Sequence, residues 1–235
     1  MATYVIADIH GRYDLFSDLM EKIRLGDEDI LYVLGDIIDR GPEPIRTMLG
    51  LMEMPNVVCM KGNHEDMALG CLDFLIQEIT DESVLALDEE ILSKILHWQI
   101  NGSRTTLEEF RRLSRESQQA VIEFMKNMPV YKKLHVAGRE YLLVHGGLGG
   151  FRPDRKIEEY SQYELVWERP AYDTPYFPDV YVVTGHTPTQ LIEINPKPGY
   201  IFKGNHHIAI DCGSYRPDGW LAAIRLDDEK EFYSD

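Results

Sequence analysis

The first third of the chain alternates short apolar runs with amphipathic stretches: TYVIAD at 3–8, YDLFSDLMEKI at 13–23, DILYVLGD at 29–36, EPIRTMLGLME at 43–53 and NVVCMKGN at 56–63. Leu15, Leu19 and Ile23 recur every four residues, the spacing of one helix face, while the runs between are rich in Val, Ile and Tyr and too short for helices. This β-α-β-α-β rhythm predicts a mostly parallel sheet. From about Glu65 to Met128 the pattern turns helical, with DEEILSKILHWQI, TTLEEFRRL and ESQQAVIEFMKNM carrying apolar residues three and four apart. Thr105 or Thr106, and Ser114, stand where N-caps belong, so a helical insertion is predicted over about 65–128.

After Pro129 short β-type runs return: VYKKLHV, REYLLVHGG, DVYVVTGHTP, QLIEI, HHIAIDCG and GWLAAIRL. The first two read as a hairpin around Ala137 and Gly138. A second sheet packed on the first accounts for so many strands. No internal repeat and no Pro/Gly/Ser-rich linker marks a boundary, so residues 1–235 read as a single α/β domain.

Composition narrows the function classes. A formal net charge of -16 repels polyanions at long range, which disfavours nucleic acid and anionic lipid as partners but leaves room for an anionic substrate at a local cationic site. No apolar run approaches the roughly 18 to 20 residues of a membrane-spanning helix, and MATYVIADIHG lacks the basic start of a signal peptide. A cytoplasmic location is the expectation. Cys59, Cys71 and Cys212 form no CxxC pair and read as reduced, small apolar residues.

The chemistry gathers where strands end. YVIAD-IH delivers Asp8 and His10, LYVLGD delivers Asp36, VVCMKGNH delivers Asn63 and His64, YLLVHGG delivers His145, and YVVTGH delivers His186. In open α/β sheets ligands bind outside the carboxyl ends of strands, so these side chains should converge. Carboxylate, imidazole and amide oxygen are metal ligands. Asp8, His10 and Asp36 can hold one divalent ion, and Asp36, Asn63, His145 and His186 a second, with Asp36 bridging ions about 3.5 to 4 Å apart. A mixed oxygen and nitrogen set without thiolate favours manganese, with iron or zinc as alternatives. Each residue alone has a bland reading as a cap, a turn or a satisfied imidazole. Jointly, so many polar strand ends would leave costly unpaired buried groups if nothing bound there.

The motifs DIHG, GDIIDRG, GNHE, HGG and GHTP, in that order from Asp8 to Pro188, resemble the phosphoprotein phosphatase branch of the metallophosphoesterases, above all its compact bacterial and phage serine/threonine phosphatases. The resemblance implies a β-sandwich of two mixed sheets flanked by helices, and it assigns the metal ligands to the positions just named. It further implies attack on phosphorus by a hydroxide held between two divalent ions, with no serine or cysteine nucleophile. His64 becomes the general acid that protonates the leaving alkoxide, and Asp39 orients its imidazole. Arg40, with its bidentate fork, and Arg169 in VWERP become the phosphate-gripping arginines, beside Asn63.

The implied activity is hydrolysis of phosphoserine and phosphothreonine in proteins. The alternative is hydrolysis of diadenosine tetraphosphate or a related nucleotide, by a sister group that shares the scaffold and the opening MATY but often replaces Glu65 or loses the Asp39-Arg40 pair. A silent binding protein is disfavoured because no expected ligand is missing. Glu65 and Asp211 are expected to hydrogen-bond ligand residues and Asp66 to begin a helix; Trp98 is expected to pack in the core, the alternative being a role near the substrate mouth for Trp98, Asn101 and Gly102. His97, His135, His206 and His207 match no motif and read as surface or core residues.

Overall fold

A computed structural model describes residues 1–76 and 88–235; the part of the insertion at 77–87 lies outside the described residues. The chain opens β1 (Thr3–Ile6), α1 (Tyr13–Ile23), β2 (Ile30–Val33), α2 (Pro44–Met52), β3 (Val57–Cys59) and α3 (Asn63–Leu75), the rhythm the apolar pattern predicts. Helices continue as α4 (Glu89–Ile100), α5 (Arg104–Phe110) and α6 (Arg115–Lys126), within the stretch expected to be an insertion. Then come β4 (Tyr131–Val136), β5 (Arg139–Val144), α7 (Gln162–Val166), β6 (Val180–Thr184), β7 (Phe202–Gly204), β8 (His207–Ala209), β9 (Ala222–Arg225) and β10 (Lys230–Tyr233).

The strands form two mixed five-stranded sheets, ordered β10-β9-β1-β2-β3 and β4-β5-β6-β8-β7. The segments β1, β2, β3 run parallel in the first, and β5, β6, β8 in the second; antiparallel pairing closes one margin of the first sheet, through β9 and β10, and both margins of the second, through β4 and β7. Alternation along β1 explains the layering. Tyr4 and Ile6 face a cluster with Leu15, Leu19 and Ile23 of α1, while Val5 and Ala7 face Tyr141, Leu143 and Val183 of the other sheet. Both faces are covered, so the strand reads as an unbroken apolar run. On the far side Leu142, Val144 and Val182 pack against Leu165 and Val166 of α7. The apolar residues Trp98, Phe110, Val121 and Met125 of the insertion join the cluster that α1 and α2 make on the first sheet.

Three local expectations need correction. QLIEI is not a strand: Thr189–Leu191 is a single 3-10 turn after Pro188, and Leu191 and Ile194 are exposed, so its apolar residues do not share one sheet face. Thr105 and Thr106 are not N-caps. Helix α5 begins at Arg104, and the Thr106 hydroxyl is spent on Asp39 instead. The strands β7 and β10 were not anticipated, because FKG is three residues long and KEFY carries two charges along a sheet edge. Ser114 does cap α6, accepting from the Ser117 amide. The three cysteines are buried and unpaired. Among the described residues no helix is long and apolar enough to cross a membrane.

Candidate metal centre and active site

The parallel strands of both sheets end at the same edge of the sandwich, and the backbone there is bent hard. Asp8, His10, Asp36, Asp39, Arg40 and His186 all adopt left-handed conformations, with φ between 49° and 69°. Such conformations are costly for residues other than glycine, persist where surroundings impose them, and cluster at functional sites. Close backbone approach requires glycine at two neighbouring points. A Cβ on Gly35 would lie 2.4 Å from the Gly62 nitrogen, and one on Gly62 would lie 2.3 Å from Asp36 Oδ1.

Asp36 is the hub. Its Oδ2 lies 3.6 Å from His10 Nε2 and 3.8 Å from His64 Nε2, and its Oδ1 lies 3.3 Å from His145 Nε2. The His64 amide, at the start of α3, donates to Oδ1 at 3.0 Å, so a helix N-terminus faces the carboxylate. Two groups of potential metal donors therefore share this residue: Asp36 with His10 and His64, and Asp36 with His145 and His186. Asn63 belongs with the second, its Oδ1 lying 2.9 Å from His145 Nε2 and 2.8 Å from His186 Nδ1.

The imidazoles are set up as ligands. His10 Nδ1 faces the Ile38 carbonyl at 3.0 Å and His145 Nδ1 the Leu34 carbonyl at 2.5 Å, which fixes the tautomer and leaves each Nε2 lone pair directed at Asp36. A backbone hydrogen bond with Trp167 plays the same part for His186. Burial lowers the pKa of all three rings, that of His186 to about 3, so they are neutral and their lone pairs free. The Asp36 carboxyl is held below the usual range despite its burial, and it faces the ring nitrogens of His145, His64 and His10. An ionised hub ringed by neutral imidazoles with carbonyl-fixed tautomers fits divalent cations.

Not every expected ligand joins these groups. Both carboxylate oxygens of Asp8 accept the His186 amide, at 3.1 and 3.0 Å, tying the first sheet to the second. Burial and the nearby carboxylates of Asp211 and Asp36 push Asp8 well above the usual range. His64, expected outside the ligand set, lies within reach of it. Its Nδ1 is 2.6 Å from Asp39 Oδ2, and Asp36 and Asp39 outweigh burial to raise its pKa. Arg40 bridges the two rings, with Nη1 2.9 Å from His10 Nε2 and Nη2 3.0 Å from His64 Nε2. Arg169 is exposed at the rim, where its charge helps to lower the His186 pKa. Of the remaining histidines, His97 packs against Trp167, His135 pairs with Glu140, His206 faces the Phe177 carbonyl and His207 the Thr174 carbonyl; none joins the cluster.

Glu65 acts on the backbone of the ligand loop. Its Oε2 accepts from the amides of Asp36 at 2.8 Å and Gly62 at 2.9 Å, and its Oε1 from those of Ile37 at 2.9 Å and Ile38 at 3.4 Å. Burial and the Asp36 charge pull its pKa up to about 7, against these donors. Replacing Glu65 by Gln turns an amide NH₂ toward amide donors and leaves buried N–H groups unpaired. The expected loss is about 3 kcal/mol of unfolding free energy, and an unchanged urea midpoint would contradict this role. Asp66 sits in the first turn of α3 and accepts from Trp167 Nε1 at 3.1 Å and from Gln162. Asp211 accepts the Gly213 amide at 2.9 Å, and burial raises it to about 6.

Sequence reasoning missed Tyr215. The Arg40 guanidinium lies 4.2 Å from its ring centroid, and the same ring meets His10 edge-on. Its loop is pinned by Ser214, whose hydroxyl donates to the carbonyls of Asp8 and Ile9. The available signal was IDCGSYR, another apolar run ending in an aspartate at the same sheet edge.

Two mixed sheets flanked by helices, with histidines and aspartates delivered from both to one buried edge, define a metallophosphoesterase, a hydrolase of phosphoric esters. The chain belongs to the calcineurin-like phosphoesterase family, which it matches over residues 1–223 and whose members act with divalent metal ions. It is 28% identical to the asymmetrical bis(5'-nucleosyl)-tetraphosphatase PrpE of Bacillus subtilis (strain 168), across 91% of this chain and 86% of that protein. It is 42% identical to serine/threonine-protein phosphatase 2 of Escherichia coli (strain K12), but over only 67 residues, 28% of this chain and 30% of the relative. Among solved structures, a metallophosphoesterase from Sphaerobacter thermophilus superposes with a TM-score of 0.57 at 16% identity, over 100% of this chain and 87% of that one.

Proposed function

We propose that this hydrolase acts on phosphomonoesters of alcohols, with phosphoserine and phosphothreonine in proteins as its substrate class. The observation that carries this reading is the Asp39–His64 pair, 2.6 Å apart and fully buried, with His64 Nε2 turned to the site. A serine or threonine alkoxide is a strong base and a poor leaving group, so a histidine placed to give it a proton speeds departure. A displaced nucleoside polyphosphate is a weak base and gains little from such an acid.

The chain's residues divide the work. Asp36, with His10 and Asp8 on one side and Asn63, His145 and His186 on the other, would hold the divalent ions. Manganese is the ion proposed, with iron or zinc as alternatives for a set of carboxylate, amide and imidazole donors. Bound there, the ions supply Lewis acidity and a nucleophilic water at neutral pH. Arg40, steadied on Tyr215, turns its fork from the histidines to two phosphoryl oxygens, and Arg169 and Asn63 add contacts to the same group. The net charge of -16 makes a strongly acidic phosphoprotein a poor partner.

One observation favours a second reading: the relative aligned over 91% of the chain is named a bis(5'-nucleosyl)-tetraphosphatase. Rates measured side by side with manganese, on a phosphoserine and phosphothreonine peptide panel and on diadenosine tetraphosphate, separate the two. The expected result is a kcat/KM for the best peptide at least about tenfold above that for the nucleotide, the size of effect a positioned acid readily supplies. The reverse order overturns the proposal in favour of the second reading.

A further inference from the structure

We propose that the helical insertion is a clamp that aims the Asp39–His64 pair, with Trp98 and Thr106 as its positioning residues. The proposal rests on the reading of His64 as general acid. Asp39 and Arg40 are consecutive residues in the left-handed region, with φ 69° and 64°, and Asp39 is fully buried. Something must hold that loop in a conformation it would not adopt alone.

The holding contacts come from the insertion. Trp98 Nε1, on α4, donates to Asp39 Oδ2 at 2.7 Å. The Thr106 hydroxyl, on α5, donates to Asp39 Oδ1 at 2.6 Å and accepts the Asp39 amide at 3.0 Å. Between the two helices the Gly102 carbonyl accepts the Arg40 amide at 3.0 Å. Gly102 has φ 100°, and a Cβ there would lie 2.9 Å from Arg40 Cγ, so the turn must be glycine to come this close. Among the described residues, every partner of the Asp39 carboxylate other than His64 belongs to the insertion.

A carboxylate bonded only to His64 could rotate about its side-chain torsions and carry the imidazole with it. Donors from two helices, one on each oxygen, leave a single orientation in which Oδ2 faces His64 Nδ1 and Nε2 faces the site. Trp98 has no exposed surface, and a buried indole N–H needs an acceptor, so the same contact satisfies the core and aims the carboxylate. A fused helical segment thereby becomes part of the acid's support. Geometry held to a fraction of an ångström is what such acids require.

The test uses the full manganese-loaded chain with a phosphoserine peptide, which has a poor leaving group, and 4-nitrophenyl phosphate, which has a good one. Thr106→Val and Trp98→Phe should each lose about tenfold in kcat/KM on the peptide and under about threefold on the aryl ester, within the 10² to 10⁴-fold that the acid supplies. Thr106→Ser, which keeps the hydroxyl, should retain the peptide rate. In a His64→Asn background the Thr106→Val loss should largely vanish, because two residues serving one function are not additive. Should Trp98→Phe fail to fold, Thr106→Val carries the test, since hydroxyl for methyl conserves volume. Independently of turnover, the low-field His64 Nδ1–H proton resonance of metal-free protein should survive in Thr106→Ser and broaden in Thr106→Val.

Equal losses on both esters, a full Thr106→Val loss persisting without His64, or an unchanged resonance would each overturn the clamp. The parent reading fails separately. If His64→Asn alone slows both esters equally, the general acid falls and the clamp with it; if His64→Asn is selective and the insertion variants are not, only the clamp falls.

Discussion

Asp36→Asn is expected to leave the protein unable to load either divalent ion and therefore inactive on every phosphoester. The substitution conserves size, so the loss is one of charge and donor type. Asp36 belongs to both donor groups, facing His10 and His64 from one oxygen and His145 from the other. The three ring ligands are neutral, and Asn63 contributes only an amide oxygen, so removing Asp36 removes the anionic donor common to both groups. Divalent cations in a buried site need such charge to offset their lost hydration. The measurement is elemental analysis after dialysis against manganese, with circular dichroism to show that the variant is folded. Two ions retained per chain would refute the bridging role of Asp36.

His64→Asn should slow hydrolysis of a phosphoserine peptide by about 10² to 10⁴-fold, the usual contribution of a positioned acid, while 4-nitrophenyl phosphate loses far less. The asymmetry follows from the leaving groups: nitrophenolate departs unaided, whereas an alkoxide needs a proton in the transition state. His64 is equipped to give one, because Asp36 and Asp39 raise its pKa against burial while the other site rings are lowered. Steady-state kcat/KM on the two esters decides the matter. Losses of equal size would mean that His64 serves as a metal ligand, which its place beside Asp36 and His10 also permits.

The motifs were legible because the chemistry leaves little choice of residue type. Asp8, His10, Asp36, Asn63, His64, His145 and His186 follow apolar runs one after another, and the structure brings those run ends to one edge. The two-sheet architecture was readable from the change of period at Glu65 and again at Pro129. What failed were short or edge segments. FKG and KEFY pair only because tertiary neighbours supply the hydrogen bonds, and QLIEI does not pair although its composition suits a strand. Local pattern carries little information over three to five residues, where packing decides.

Partners across the fold were the other gap. Nothing in WQINGSRTT announces that an indole and a hydroxyl eight residues apart will grip one carboxylate near position 39, and nothing in GSYR places a tyrosine under Arg40. The sequence by itself determined most of the element order, the two-sheet plan and the residue types of the candidate metal donors, because period, apolar runs and donor chemistry are local properties. Only the tertiary structure decided which donors share Asp36, that the Asp8 carboxylate is turned to the His186 amide, and that the insertion reaches Asp39. Those facts depend on contacts between residues tens to hundreds of positions apart, whose geometry is set by close packing of the whole rather than by any stretch of the chain.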